Sequence, residues 1–494
     1  MTPIALEELT IAETSRRIRK KEVSPVELTQ LYLERIEALN PALNAYLTLM
    51  KDQALAAAKM AERAIRRGRY RGRLHGIPFS IKDNLAIKGV RTTAGTKILS
   101  EWVPDFDATV VTRLKDSGAV ILGKTHMHEW AKGSHGINPY YGTTHNPWDP
   151  NRVPGGSSGG SAVSVAASLC MASIGTDSAG SVRNPASLCG VVGLKPTYGR
   201  VSTFGGVPGT GGHSTNHFGI HTRTVEDCAL VLETIAGHDP KDALSAEAPV
   251  PRFSRGVGKG VKGIKVGLLR GYFDEAVVDE VRSALDEAVK TFESLEMKVE
   301  EISIPYLDLV PAVQIATSRS ESTTDHDVYL RTRSRDYSRG LLYSQIAALL
   351  IPASVFVQAQ RVRRLICQEF EQALEKVDVI IAPTVPVPAP TIEECTKGYL
   401  ERNGRQIPLQ DIRGNYLMLC TIPFNVTGFP SLSVPCGFTD MGLPVGMQVV
   451  GGLFQEETVF QVAHAFERKA GWYKRRPSLK QITPGPGGPL SGSR

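Results

Sequence analysis

The stretch GGSSGGS at residues 155–161 decides how this chain is read. Its composition is that of a flexible linker, since glycine and serine tracts are the usual spacers between domains. The flanks argue otherwise. THNPWDPNRVP (144–154) is dense in turn formers, and AVSVAASLCMASIGTDSAGS (162–181) is too apolar and too small-residued to be left in water. A segment that runs straight into core sequence is expected to be a close-packed loop at a site, where glycine admits atoms that a side chain would exclude.

Outward from this loop, the 494 residues leave room for one large domain or two to three ordinary ones, and 41% apolar with 22% charged residues is a globular balance. No apolar run reaches the roughly 18–20 residues of a membrane span, and the first residues lack a signal peptide's pattern. A cytoplasmic protein without membrane contact is expected. The seven cysteines show no CxxC spacing, which indicates neither a zinc ribbon nor a disulfide framework and suits a reducing compartment. The net charge of +7 comes from scattered basic clusters, at 16–21, 66–73, 361–364 and 474–476, read as solvated helix faces and not as a nucleic-acid surface.

Periodicity places two amphipathic helices first: SPVELTQLYLERIEALN (24–40) offers a serine cap and a proline at the first turn, and DQALAAAKMAERAIRRG (52–68) ends at a glycine. From Leu74 the texture becomes short apolar runs broken by Gly, Asn and Pro, as in GIPFSIKDN (76–84) and AVILGKTHM (119–127). Strand and loop alternating with helix is the signature of an α/β fold. Further helices are expected over 279–294 and 357–376, before a buried strand in VDVIIAPTVPVPAP (377–390). The expected organisation is a helical segment at 1–65 packed on the core, one domain over 66–482 with a more variable helical region at about 240–400, and a disordered tail at 483–494. A second glycine-rich stretch within 202–219 is expected to be a mobile lid.

Chemistry concentrates in GTDSAGSVRNP (175–185). Ser181 is a candidate nucleophile, with consecutive backbone N–H groups beside it to hold an oxyanion. Serine needs a base, yet the histidines lie elsewhere and no G-x-S-x-G elbow is present. A lysine neutralised by burial can serve instead, and Lys82 closes the apolar run Ile77, Phe79, Ile81. The pair His126 and His128 looks like half of a metal site, but no third ligand lies at a convincing spacing, so a structural role is expected and no metal or cofactor.

Three motifs together, GIPFSIKDN (76–84), NPWDPNRVPGGSSGGSA (146–162) and GTDSAGSVRNPASLCGVVGLKPTYGRVS (175–202), resemble the amidase signature family of serine hydrolases. The resemblance extends through TRTVEDCALVLETIAG (222–237), DVIIAPTVPVPAP (378–390) and NVTGFPSLSVPCG (425–437), covering about residues 20–470. It implies a large mixed β-sheet core flanked on both faces by α-helices, and amide hydrolysis by a serine, cis-serine and lysine. On this sequence those are Ser181, Ser157 and Lys82, with the Gly156–Ser157 peptide cis. The same resemblance gives Ser178, Ala179 and Gly180 to the oxyanion loop, Ala131 and Gly133 to the substrate lining, and Gly156, Ser158, Asp177 and Arg183 to support of the site. Ser158 and Ser161 are expected to satisfy backbone groups of the loop.

The chain departs from the family pattern at Ala179, which stands where a glycine is common, and at Asn216 and Ile220 in HSTNHFGI (213–220). Two enzymatic readings follow. One is a stand-alone amidase, monomeric or homodimeric, acting on uncharged aryl or alkyl amides, with carbamates and esters also open to the same chemistry. The other is the glutaminase component of glutamyl-tRNA amidotransferase, its A subunit, which takes ammonia from glutamine. That component carries an acidic residue for the glutamine amino group where this chain has Met418, so the stand-alone reading is preferred. A non-catalytic binding protein of the same fold would be expected to have lost a triad member, and none is lost.

Overall fold

The computed structural model describes residues 5–402, 405–411 and 414–479, so the tail expected at 483–494 lies outside the described residues. An eleven-stranded mixed sheet forms the centre. In chain order its strands are β1 (Tyr46–Leu49), β2 (Pro78–Lys82), β3 (Val120–Thr125), β4 (Ala172–Asp177), β5 (Val192–Lys195), β6 (His217–Thr222), β7 (Lys265–Leu269), β8 (Lys298–Ile302), β9 (Val379–Pro383), β10 (Ser431–Phe438) and β11 (Pro444–Val450). Across the sheet they stand in the order β1, β3, β2, β4, β6, β5, β10, β11, β9, β7, β8. Every residue of β2, β3, β4, β9 and β11 is buried, as strands covered by helices on both faces must be. This is the α/β architecture expected from the sequence.

The opening helices are α1 (Ile11–Arg19), α2 (Pro25–Leu43) and α3 (Lys51–Arg66). Ser24 caps α2 by accepting from the N–H groups of Val26 and Glu27, and Pro25 takes the first turn, where its missing N–H costs nothing. The apolar faces of these helices, through Ile18, Leu28, Leu33, Ala54 and Ala58, join one hydrophobic cluster that continues through β2 and β4 to Phe466. No single helix among the described residues is long and apolar enough to cross a membrane.

The sheet's register positions the chemistry. β2 and β4 are parallel neighbours with Ile81 opposite Ile174, so their C-terminal ends bring Lys82 alongside Thr176 and Asp177. The glycine-serine stretch leads into α5 (Gly159–Ala166), whose residues are all buried, and the linker reading is excluded. On β3, Lys124 is fully buried and pairs with Asp83 at 3.2 Å while donating to Thr92 Oγ1 at 2.8 Å.

Breaking that pair from one side would leave Asp83 charged in the interior. Lys124→Met should therefore cost about 3–5 kcal/mol, read as a lowered midpoint in urea unfolding followed by intrinsic fluorescence. Adding Asp83→Asn to the same chain should recover part of the loss. An unchanged midpoint in Lys124→Met would show that the pair is stabilised by something other than mutual compensation.

Candidate active site

Lys82 is completely buried at the end of β2, with Nζ 2.7 Å from Ser157 Oγ and 2.8 Å from Thr176 Oγ1. Asn84 Nδ2 donates to the same Thr176 hydroxyl at 3.1 Å and to Thr210 Oγ1 at 3.1 Å. Among the described residues no carboxylate forms an ion pair with Lys82. Burial pushes its ammonium well below the usual lysine range, and the field of Asp177 opposes this only in part. An amine left neutral there would have a lone pair to accept the Ser157 proton.

The other two buried lysines show the contrast. Lys124 has the carboxylate of Asp83, and Lys195 donates to the Phe429 carbonyl at 2.6 Å, beside His217 Nε2 at 3.3 Å. Of the three, Lys82 alone is hydrogen-bonded to a serine. The site histidines are not placed as bases: His221 Nε2 meets the Val182 carbonyl, and no imidazole hydrogen-bonds to the hydroxyl of Ser157 or Ser181 among the described residues.

The loop of residues 155–161 is held against two others. The Gly156–Ser157 peptide is cis, the Ser157 carbonyl accepts from His128 N–H, and Ser158 N–H donates to the Ser181 carbonyl at 3.2 Å. A Cβ on Gly156 would stand 2.9 Å from the Gly133 carbonyl oxygen, which is why this position has none. Ser158 Oγ bonds the Thr176 backbone on β4 and not that of its own loop, where it was expected. Ser161 does not serve the loop backbone, because its hydroxyl is paired with Thr125 Oγ1 at 2.7 Å.

Beyond β4 the chain turns sharply to α6 (Arg183–Cys189), and Asp177 governs the turn. Its carboxylate accepts from the N–H of Gly180, Val182 and Arg183, from Asn425 Nδ2, and from the Arg183 guanidinium at 3.1 Å on both oxygens. Burial resists ionisation of Asp177, but Arg183 and Asn425 outweigh it and hold the carboxyl well below the carboxylate range. Arg183 is satisfied in turn by Gln448 Oε1 and Asn425 Oδ1.

This arrangement corrects one expectation. The family pattern gives Gly180 to the oxyanion donors, yet its N–H is spent on Asp177 Oδ1 at 2.7 Å. The N–H groups of Ser178, Ala179 and Ser181 have no protein acceptor among the described residues and remain for a ligand. Gly180 is instead required by geometry: its φ is +126°, and a Cβ there would collide with Thr421 Oγ1.

Ser181 is 4% exposed and opens on a cavity of ≈ 180 Å³, which Ala131, Gly133, Ser178 and Ala179 also line. Its hydroxyl is not hydrogen-bonded to Ser157 in this geometry; closing that contact falls to side-chain rotation, as is common before a substrate is bound. Asn216 accepts from Ser178 Oγ at 2.9 Å, and Gln314 donates to the Ser178 carbonyl at 3.0 Å, so both fix the rim of the loop. Met418 lines the cavity, and no carboxylate does so among the described residues. Sequence reasoning missed Thr176, Asn84, Asn425, Lys132 and Arg319; the first three sit inside the quoted motifs, while nothing local marks the last two.

The stretch 202–219 borders the cavity at Thr210 and Gly211 but is no free flap. Gly209 N–H donates to Asp325, its carbonyl accepts from Ser322 and meets His326, and Ser214 is held by Glu321 and by two bonds from Arg363. The expected lid is a tethered wall. His126 is buried and His128 half-buried, both are pushed down by desolvation, and no group of three metal-binding side chains occurs among the described residues.

The family model described as Amidase matches residues 27–460. The chain is 41% identical to the A subunit of the Glutamyl-tRNA(Gln) amidotransferase of Geobacter metallireducens, over 96% of this chain and 99% of that relative. The solved A subunit of the Thermotoga maritima Glutamyl-tRNA(Gln) amidotransferase superposes with a TM-score of 0.81 at 33% identity, covering 97% of this chain and all of that one. A peptide amidase in complex with the competitive inhibitor chymostatin superposes with a TM-score of 0.83 at 31% identity, covering 95% and 99%.

The state of Lys82 is open to a stability test. Unfolded, the amine holds its proton up to its ordinary 10.5; folded, it loses it at a far lower pH. Between the two the unfolded chain binds one proton more, so stability rises with pH. Wild type should gain on Lys82→Met by up to about 1.4 kcal/mol per pH unit as pH rises toward the ordinary lysine value of 10.5, measured by urea unfolding. A difference that does not change with pH would mean a charged Lys82.

Proposed function

The chain belongs to the amidase family, and on that ground we propose that it hydrolyses carboxylic amides at the C–N bond through an acyl-enzyme on Ser181. The observation that carries the assignment is the 2.7 Å contact of a sealed, uncompensated Lys82 amine with Ser157 Oγ. Lys82 takes the Ser157 proton, Ser157 takes that of Ser181, and Ser181 Oγ attacks the carbonyl carbon. The developing oxyanion is received by the N–H groups of Ser178, Ala179 and Ser181. On collapse of the tetrahedral adduct the C–N bond breaks, and the proton held at Lys82 returns through Ser157 to the leaving nitrogen. Water then repeats the sequence to free the acid and restore Ser181. Asp177 and Arg183 touch no reacting atom and act by fixing the loop.

Of two readings of the substrate, the relatives support the amidotransferase one better than the stand-alone one. The geometry favours an amide whose acyl part carries no ammonium, because the cavity holds Met418 and no carboxylate among the described residues. The curated relatives favour the other reading, glutamine as ammonia donor within an amidotransferase, since those at about 40% identity bear that enzyme's name. The first reading places the whole reaction in this chain; the second requires partner subunits and, with them, a response to glutamine.

Ser181→Ala should give no covalent adduct with a fluorophosphonate in intact-mass analysis and no turnover. Lys82→Ala and Ser157→Ala should each lower kcat by about 10²–10⁴-fold or more. Near wild-type turnover in Lys82→Ala would overturn the relay. Assayed alone, the chain should hydrolyse aryl and primary amides faster than glutamine; the reverse order would establish the amidotransferase reading.

A further inference from the structure

Two cations line the same cavity as Ser181: Lys132 from the turn after β3, and Arg319 from the helical segment over 310–332. Both are half-buried, and neither side chain makes an ion pair or hydrogen bond among the described residues. The carboxylates whose fields reach Lys132 are those of Asp325 and Glu321. Both are engaged elsewhere, Asp325 with Gly209 N–H and His213, Glu321 with Ser214 N–H. Burial and the neighbouring Arg319 push Lys132 down to about 8 against the opposing fields of these two carboxylates, so it is mostly charged at neutral pH with no ion pair of its own among the described residues.

The backbone goes out of its way to present both groups. Trp130 and Ala131 immediately before Lys132 adopt φ of +50° and +57°, an unfavourable conformation for a bulky residue, with the indole fixed against His326 and Tyr329. Arg319 ends a π-helical turn, Ile315–Arg319, inserted into an otherwise α-helical run; such turns displace side chains toward sites. On the same wall Gln314 Oε1 is buried without a donor among the described residues, and it would take one from a substrate N–H and not from the anionic group.

We propose that Lys132 and Arg319 form a subsite for an anionic group, so that the amides this chain prefers carry a carboxylate at one end. The inference rests on the cavity of Ser181 being the amide site. It turns a wall with two uncompensated cations into a complete ion-pair arrangement once substrate is seated. Glutamine and its deaminated analogue glutaramate share the carboxylate that the subsite would hold, and only the ammonium of glutamine, repelled by the same two cations, sets them apart.

The test uses the full chain bearing Ser181→Ala, so that binding is read without turnover. Calorimetry compares three amides: the 4-nitroanilide of succinate, charged on the acyl side; N-butyryl-4-aminobenzoate, charged on the amine side; and the neutral 4-nitroanilide of butyrate. At least one carboxylated amide should bind tenfold or more tightly than the neutral one, and which one does so locates the charge. That advantage should fall below threefold on adding Arg319→Gln or Lys132→Gln, with circular dichroism unchanged. Arg319→Glu should transfer the preference to the 4-nitroanilide of 4-aminobutyrate, which bears an ammonium. Equal binding of all three, or an advantage that survives both glutamine substitutions, overturns the subsite. Hydrolysis of the amides by Ser181→Ala would instead count against the nucleophile assignment, a separate result.

Discussion

The constraint on which the site depends is the burial of the Lys82 amine beside a serine hydroxyl, with no carboxylate ion-paired to it among the described residues. An ammonium placed there would lose its hydration and gain no ion pair, so the interior favours the free amine. The sheet enforces this position, because β2 and β4 lie side by side at the centre and every residue of both is covered. Thr176 then takes a second contact with the amine, leaving Ser157 as the group on which its basicity acts.

A base without a counter-ion is useful only if the neighbouring charges are kept away from it. Asp177 is one position beyond Thr176, yet its two oxygens are taken by Arg183, Asn425 and three backbone N–H groups. That network answers the carboxylate locally and shapes the turn bearing Ser181. It also removes Gly180 from the oxyanion donors, leaving N–H groups on either side of it. The sealed chamber of Lys82 and Ser157 and the open cavity beyond Ser181 thus meet at one loop, the first holding the proton relay and the second facing the substrate. Cations that the chamber excludes are placed on the cavity wall, at Lys132 and Arg319.

Much of this was legible in the sequence. The apolar runs within 76–84, 119–127 and 377–390 read as strand sequence and hold the buried strands at 78–82, 120–125 and 379–383, and the helices expected at 24–40 and 52–68 fall within one to three residues of their observed ends. Glycine density marked both the loop at 155–161 and that at 205–212, but composition does not say what a loop is tied to. The first is packed against Gly133 and Ser181; the second is tied at Gly209 to Asp325, and just beyond it Ser214 is held by Glu321 and Arg363, all over a hundred residues away. The donor role of Gly180 was misread for a similar reason, since only the folded turn brings Asp177 Oδ1 to its N–H. Arg319 and Lys132 carry no local signature, because what sets them apart is the partner each lacks.

The most direct test of the central claim is the pH dependence of Ser181 modification by an uncharged fluorophosphonate. If a neutral Lys82 drives the relay, the rate in wild type rises through a single ionisation and levels off well below the ordinary lysine value of 10.5, and Lys82→Met abolishes both the rise and most of the rate. A rate that climbs until the ordinary lysine value, or a profile that Lys82→Met leaves intact, would contradict the account.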